Sequence, residues 1–97
     1  MYKLVTVGRA KGGKVREAIG GGKALAEYLR SKHDVKVEVF LQQFGPAGNL
    51  YMIGEQKDLA SLQALQAKIM ADDGYWALVQ KMSEVMDPPT MSLLQQV

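Results

Sequence analysis

The chain has 97 residues, with 12 Lys and Arg, 10 Asp and Glu, one His and no Cys, a length that supports one hydrophobic core but not a core plus a separate catalytic domain. Without cysteine there are no disulfide staples, thiolate metal sites or cysteine nucleophile, and a lone histidine leaves a tight zinc site short of ligands. The net charge of +2 is unevenly spread, nine basic against three acidic residues over positions 1–36 and three against seven in the remainder, a split that reads as solvated surface and only weakly points to nucleic acid.

Met1-Tyr2-Lys3-Leu4-Val5 enters a strand pattern directly, with no apolar run behind a basic start and no stretch long enough to span a bilayer. A soluble cytoplasmic protein with no membrane partner is the expectation. The first strand is predicted over Tyr2 to Val7 or Gly8, where Leu4-Val5-Thr6-Val7 supplies β-branched and apolar residues. Arg9 to Gly13 is turn. From Lys14 onward Val15, Ala18, Ile19, Gly22, Leu25, Ala26 and Leu29 form one 3.6-residue stripe that runs to about Lys32. Gly20-Gly21-Gly22 lies in its middle, at a cost of about 1 kcal/mol per glycine relative to alanine. The stripe keeps its phase across the triplet, so the reading is a continuous but weakened helix. Gly22 lies on the buried stripe, where a missing side chain lets another backbone or a ligand come close.

His33-Asp34 turns into a second strand, Val35 to Gln43. Its alternation assigns Val35, Val37, Val39 and Leu41 to a helix-covered face and Lys36, Glu38, Phe40 and Gln42 to the other. Phe44 to Asn49 is hairpin turn chemistry, and Leu50 to Gln56 is a third strand in which Leu50, Met52 and Gly54 alternate with Tyr51, Ile53 and Glu55. Asp58 reads as the N-cap of a helix carrying Leu59, Leu62, Leu65 and Ile69. Asp72-Asp73-Gly74 interrupts that helix and caps a further segment with Tyr75, Leu78, Val79, Met82, Val85 and Met86. Asp87-Pro88-Pro89 ends it, and Thr90 to Val97 reads as the last strand. No repeat, linker or low-complexity tract divides the chain, so residues 1–97 are expected to form one domain.

This order of elements is the ferredoxin-like βαββαβ plan, an α+β fold whose four-stranded antiparallel sheet has both helices on one face. The other face is bare, and Glu38, Phe40, Gln42, Tyr51 and Ile53 are expected there. Apolar and aromatic groups on such a face require a cover. A homodimer formed through the sheet faces follows as the expected assembly.

The chemical motifs are thin. Gly8-Arg9-Ala10-Lys11-Gly12-Gly13-Lys14 fits the first seven positions of the phosphate-cradling loop. Val15 stands where Ser or Thr would hold magnesium, and no later apolar strand ends in a replacement aspartate, so nucleotide hydrolysis is not supported. His33, at a helix end, is expected to be exposed or held by a backbone carbonyl. Glu38 and Glu55, on adjacent strands, are candidates to reach the bare face together, where burial would raise their pKa values and suit them to proton transfer; the plainer expectation is that one or both lie near the sheet rim, paired with Lys or Arg or left in water. Trp76 is expected to pack against the core, with ligand contact at the mouth of the bare face as the alternative.

The whole chain resembles the dimeric α/β-barrel superfamily, which includes antibiotic biosynthesis monooxygenase-like, NIPSNAP-like and stress-responsive barrel-like proteins. The resemblance is carried by the strand and Gly-Lys turn of Leu4 to Lys14, by Glu55-Gln56-Lys57-Asp58-Leu59-Ala60, and by Ile69-Met70-Ala71-Asp72-Asp73-Gly74-Tyr75-Trp76. These motifs are structural and imply a fold and a face-to-face dimer. Haem degradation is not implied, because the first strand has no asparagine and the second helix no histidine. The oxygenase branch uses Asn, Trp, Tyr and Arg about an apolar cavity; Asn49, Tyr51 and Trp76 are of the right types but do not align position by position. The RNA-recognition domains that share this order stack bases on aromatics of the third strand, where only Tyr51 stands here, so nucleic acid is not the expected partner. The expected function is binding of a small apolar or aromatic molecule between sheet faces, by Glu38, Phe40, Gln42, Tyr51, Ile53 and Trp76. No metal or cofactor is expected. Turnover, if it occurs, would be that of a cofactor-independent monooxygenase, and the alternative is a non-enzymatic binding or structural dimer.

Overall fold

A computed structural model describes all 97 residues. The elements are β1 (Tyr2–Arg9), α1 (Val15–His33), β2 (Val37–Leu41), β3 (Asn49–Gln56), α2 (Leu59–Met70), α3 (Asp73–Ser83) and β4 (Thr90–Gln95). The strands form one sheet in the order β2-β3-β1-β4, and every neighbouring pair is antiparallel. This is the ferredoxin-like α+β plan expected from the order of elements.

β2 is shorter than the alternation implied, because the end of α1 takes up its first residues. Asp34 closes that helix in the left-handed conformation at φ 54°, its amide donating to the Arg30 carbonyl. The Val35 amide then bonds back to the Leu29 carbonyl at 3.4 Å, so Val35 is buried as part of the helix exit. At the far end the Gln42 amide still donates to the Asn49 carbonyl at 2.9 Å, but the chain has begun to turn. β4 likewise stops at Gln95, two residues short of the expected end.

The core lies between α1 and the sheet, where Ala10, Ala18, Leu50 and Met86 pack with Val15, Ile19, Val39, Leu41, Met82 and Val85 around them. α1 is continuous through Gly20-Gly21-Gly22, and packing accounts for two of the three glycines. A Cβ on Gly22 would stand 3.0 Å from Leu50 Cδ2 and 3.5 Å from Val39 Cγ1, and one on Gly21 would collide with the Met82 side chain of α3. A Cβ on Gly20 would meet nothing within 4 Å. The close approach of α1 to β2, β3 and α3 therefore offsets the propensity lost at Gly21 and Gly22, whereas Gly20 weakens the helix without a compensating contact.

The break between α2 and α3 is built on Asp72. Its backbone is extended, and its Oδ1 accepts from the amides of Gly74 and Tyr75 at 2.9 and 3.3 Å, an N-cap of the kind the sequence indicated. The same carboxylate, with its side chain only 3% exposed, also ties the two helical segments to α1. The Tyr28 hydroxyl donates to Oδ1 at 2.7 Å, the Lys32 ammonium at 3.2 Å, and His33 Nε2 lies 2.7 Å from Oδ2. His33 is thus neither exposed nor held by a carbonyl, a correction to the expectation, because the buried carboxylate of the neighbouring helix start is the stronger acceptor. The Tyr28 hydrogen bond above all, with those of His33, Lys32 and the Tyr75 amide, holds the Asp72 carboxyl well below the usual carboxylate range against the opposing effect of burial.

Gly20→Ala is expected to raise the melting temperature by about 4 °C or more, from a propensity gain of about 1 kcal/mol, and Gly22→Val to destabilise by about 1–3 kcal/mol through overpacking; thermal unfolding of both variants checks this. A stabilised Gly22→Val would show that α1 does not sit this close to Leu50. For Asp72 the sign follows from the lowered folded pKa. The unfolded chain takes up the proton first as pH falls, so this stability is complete above about pH 5 and is lost as the pH drops through the unfolded carboxylate value near 4 and below. Asp72→Asn should lower the melting temperature at pH 7 and flatten its decline in acid, while Asp73→Asn leaves that decline in place. An unflattened acid decline in Asp72→Asn would assign it to other carboxylates.

Candidate functional site

Strand register decides which side chains share the face that the helices leave open. Across it Phe40 opposes Tyr51, and Tyr51 opposes Val7; one step along, Glu38 opposes Ile53, and Ile53 opposes Val5; one step further, Glu55 opposes Lys3, and Lys3 opposes Leu94. The intervening residues, among them Val39, Met52 and Leu50, face the helices, and Leu50 is buried in the core. The bare face therefore carries a contiguous apolar centre of Val5, Val7, Phe40, Tyr51 and Ile53, extended by Leu94. Phe40 is 47% exposed and Leu94 53%, whereas Val5, Val7, Tyr51 and Ile53 are half-buried by their neighbours.

The two ends of this face differ. At one, Lys3 Nζ lies 3.6 Å from Glu55 Oε1 in an exposed pair, beside a shallow depression lined by Met1, Lys3, Glu55 and Leu94. Glu55 thus has the rim position and basic partner that the plainer sequence reading anticipated. At the other end Gln42 Oε1 accepts from Asn49 Nδ2 at 3.1 Å and from the Tyr51 hydroxyl at 3.3 Å, and Gln42 Nε2 donates to the Phe44 carbonyl at 2.8 Å. These bonds orient the Gln42 amide and pin Tyr51 and Asn49 to it. The turn makes room for this arrangement. Gly45 has φ +95°, and a Cβ there would stand 2.5 Å from Gln42 Nε2.

Of the six residues singled out in the sequence, Glu38, Phe40, Gln42, Tyr51 and Ile53 come together on the bare face. Trp76 does not join them. It stands on α3, which packs against α1 on the opposite side of the sheet, and its indole N–H donates to the Met70 carbonyl at 2.9 Å while its ring meets Tyr75 edge-on. It is neither core nor at the mouth of the bare face, because the break at Asp72 turns the start of α3 outward, leaving Trp76 45% exposed. Sequence reasoning missed Val5, Val7 and Leu94, and did not place Arg9 opposite Asn49. The alternation of Lys3, Val5, Val7 and Arg9 along β1 was visible, but only pairing with β3 shows which of its two faces is bare. No group of three or more His, Asp or Glu side chains is placed to hold a metal ion, and no helix is long and apolar enough to cross a membrane.

No family model and no curated protein matches the chain. Solved structures do match it. An uncharacterized NIPSNAP domain protein from Burkholderia xenovorans superimposes with a TM-score of 0.85 at 14% identity, over 100% of this chain and 95% of that one. An antibiotic biosynthesis monooxygenase gives 0.75 at 21% identity, over 100% and 99%. A protein of unknown function from Bacteroides fragilis, described as dimeric and of ferredoxin-like fold, gives 0.74 at 15% identity, over 98% and 95%. At these identities the likeness is one of fold, and it extends over the whole of this chain: the chain has the ferredoxin-like fold of NIPSNAP-domain and antibiotic biosynthesis monooxygenase structures.

Proposed function

We propose that this chain acts as a homodimer whose bare sheet faces meet and enclose a partly apolar space that binds a small apolar or aromatic molecule. The observation that carries this reading is the uncovered apolar centre of Val5, Val7, Phe40, Tyr51 and Ile53, on a sheet whose other face is packed by helices over β2 and β3. Only 11 of the 97 residues are buried in the isolated chain, so covering this face would add substantially to a small core. Burying a side chain such as Phe40 or Leu94 contributes about 1.5–3 kcal/mol. The dimeric description of the ferredoxin-like protein from Bacteroides fragilis supports the assembly. With Tyr51, Gln42 and Asn49 at one end of the face, an ion pair at the other and aromatic side chains between, the molecule best suited to such a space is a flat ring.

Turnover is a second reading, favoured by the likeness to an antibiotic biosynthesis monooxygenase. In that form the bound molecule would be an electron-rich aromatic, such as a quinol or anthrone, oxidised by dioxygen without a cofactor. Oxygen uptake on such a panel, lost in Tyr51→Phe, would distinguish the enzyme from the binder.

The assembly is tested by native mass spectrometry with Phe40→Lys. Phe40 is half-exposed in the single chain, so the variant should keep its fold by circular dichroism. The parent is expected to be a dimer and Phe40→Lys a monomer, because a charge placed there would be buried without a partner. A monomeric parent, or a variant dimer as strong as the parent, would rule out this interface.

A further inference from the structure

Arg9 ends β1 directly opposite Asn49, on the bare face, since its neighbours Gly8 and Ala10 point into the core beside Met86. Its guanidinium makes no ion pair and no side-chain hydrogen bond. The acids on the same face do not serve it. Glu55 is engaged by Lys3 at 3.6 Å. Glu38 is level with Ile53 and Val5, four residues back along β1, or about 13 Å along the sheet. Asp87, whose amide donates to the Arg9 carbonyl at 2.9 Å, does not pair with the guanidinium either. Arginine cannot shed its proton to escape burial, so if covering the face takes this exposed cation out of water it needs an anion from outside its own chain.

The groups around Arg9 are set to share that anion. Gln42 Oε1 uses one hydrogen of Asn49 Nδ2 and the hydroxyl hydrogen of Tyr51, leaving the second Asn49 hydrogen free to donate. Val7, two residues before Arg9 on the same face, opposes Tyr51, and Tyr51 opposes Phe40. The polar end thus runs directly into the apolar centre.

Resting on the dimeric binding site proposed above, we propose that its ligand is an amphiphilic aromatic or apolar acid. Its anionic oxygen head, a carboxylate, sulfonate or phenolate, pairs with Arg9 and Asn49, and its flat body lies on Val7, Phe40 and Ile53. The forked guanidinium can donate two parallel N–H groups to paired oxygens of a carboxylate or sulfonate, or a single one to a phenolate. The head fixes which way the body enters the space, a selection that apolar contacts alone do not supply.

Two fluorescent probes with the same ring system test this on the full chain, the anionic 1-anilinonaphthalene-8-sulfonate and the neutral N-phenyl-1-naphthylamine. Arg9→Gln is expected to weaken binding of the sulfonate about tenfold and leave the neutral probe within twofold, with the dimer intact by native mass spectrometry; Arg9→Lys should fall between, and Lys23→Gln, a charge lost from the exposed side of α1, should change neither. Added salt should weaken only the sulfonate. If Arg9→Gln weakens both probes equally or splits the dimer, Arg9 is an interface residue and the inference is wrong. If the neutral probe binds and the sulfonate is indifferent to Arg9→Gln, the apolar site stands and the acid-binding inference fails. If the dimer binds neither probe, the binding site itself is overturned.

Discussion

The constraint on which everything else depends is that both helical crossovers lie on the same face of the sheet. β1 and β2 run parallel with β3 between them, and β3 and β4 run parallel with β1 between them. Each pair is joined by a helical connection, and right-handed crossovers woven this way place both on one side. The helices therefore cover one side of β2 and β3 and leave the other open, whereas β4 at the sheet edge is exposed on both sides. A sheet of four strands and one helix layer gives a thin molecule with a small core and an open apolar face.

Within the helix layer, two devices hold the pieces at their spacing. Gly21 and Gly22 let α1 settle against Met82, Leu50 and Val39 at distances a methyl group would disturb. Asp72 does the opposite kind of work: one buried carboxylate satisfies the amides at the start of α3 and three side chains from the end of α1. Loss of a buried acceptor shared by so many donors leaves the Tyr28 hydroxyl and the Gly74 and Tyr75 amides without it, while the exposed Lys32 keeps Tyr28 and water. The histidine that might have been read as chemistry is thereby accounted for as structure.

On the open face the chemistry is graded from end to end. An exposed ion pair closes one end, where it is worth little energetically, and a fixed amide with two donors occupies the other, next to a guanidinium with no partner. The apolar centre lies between them. This polarity gives the proposed pocket a direction, which a uniformly apolar interface would lack, and the unpaired positive charge lies at one end of it.

How much of this was legible in the chain differs element by element. The alternation of Val37, Val39 and Leu41 with Glu38, Phe40 and Gln42, and of Leu50 and Met52 with Tyr51 and Ile53, already sorted two strands into a helix side and an open side, because a period of two is a local property of extended backbone. The phase of the α1 stripe carried through three glycines, and Asp58 and Asp72 marked helix starts, for equally local reasons. What only the tertiary structure decided was which residues from distant segments meet. The pairing of Arg9 with Asn49, the grip of Asp72 on Tyr28, Lys32 and His33 from 39 to 44 residues away, and the outward turn of Trp76 depend on register and on the packing of α3 against α1. Those contacts depend on the net fit of the whole chain, which no local pattern encodes.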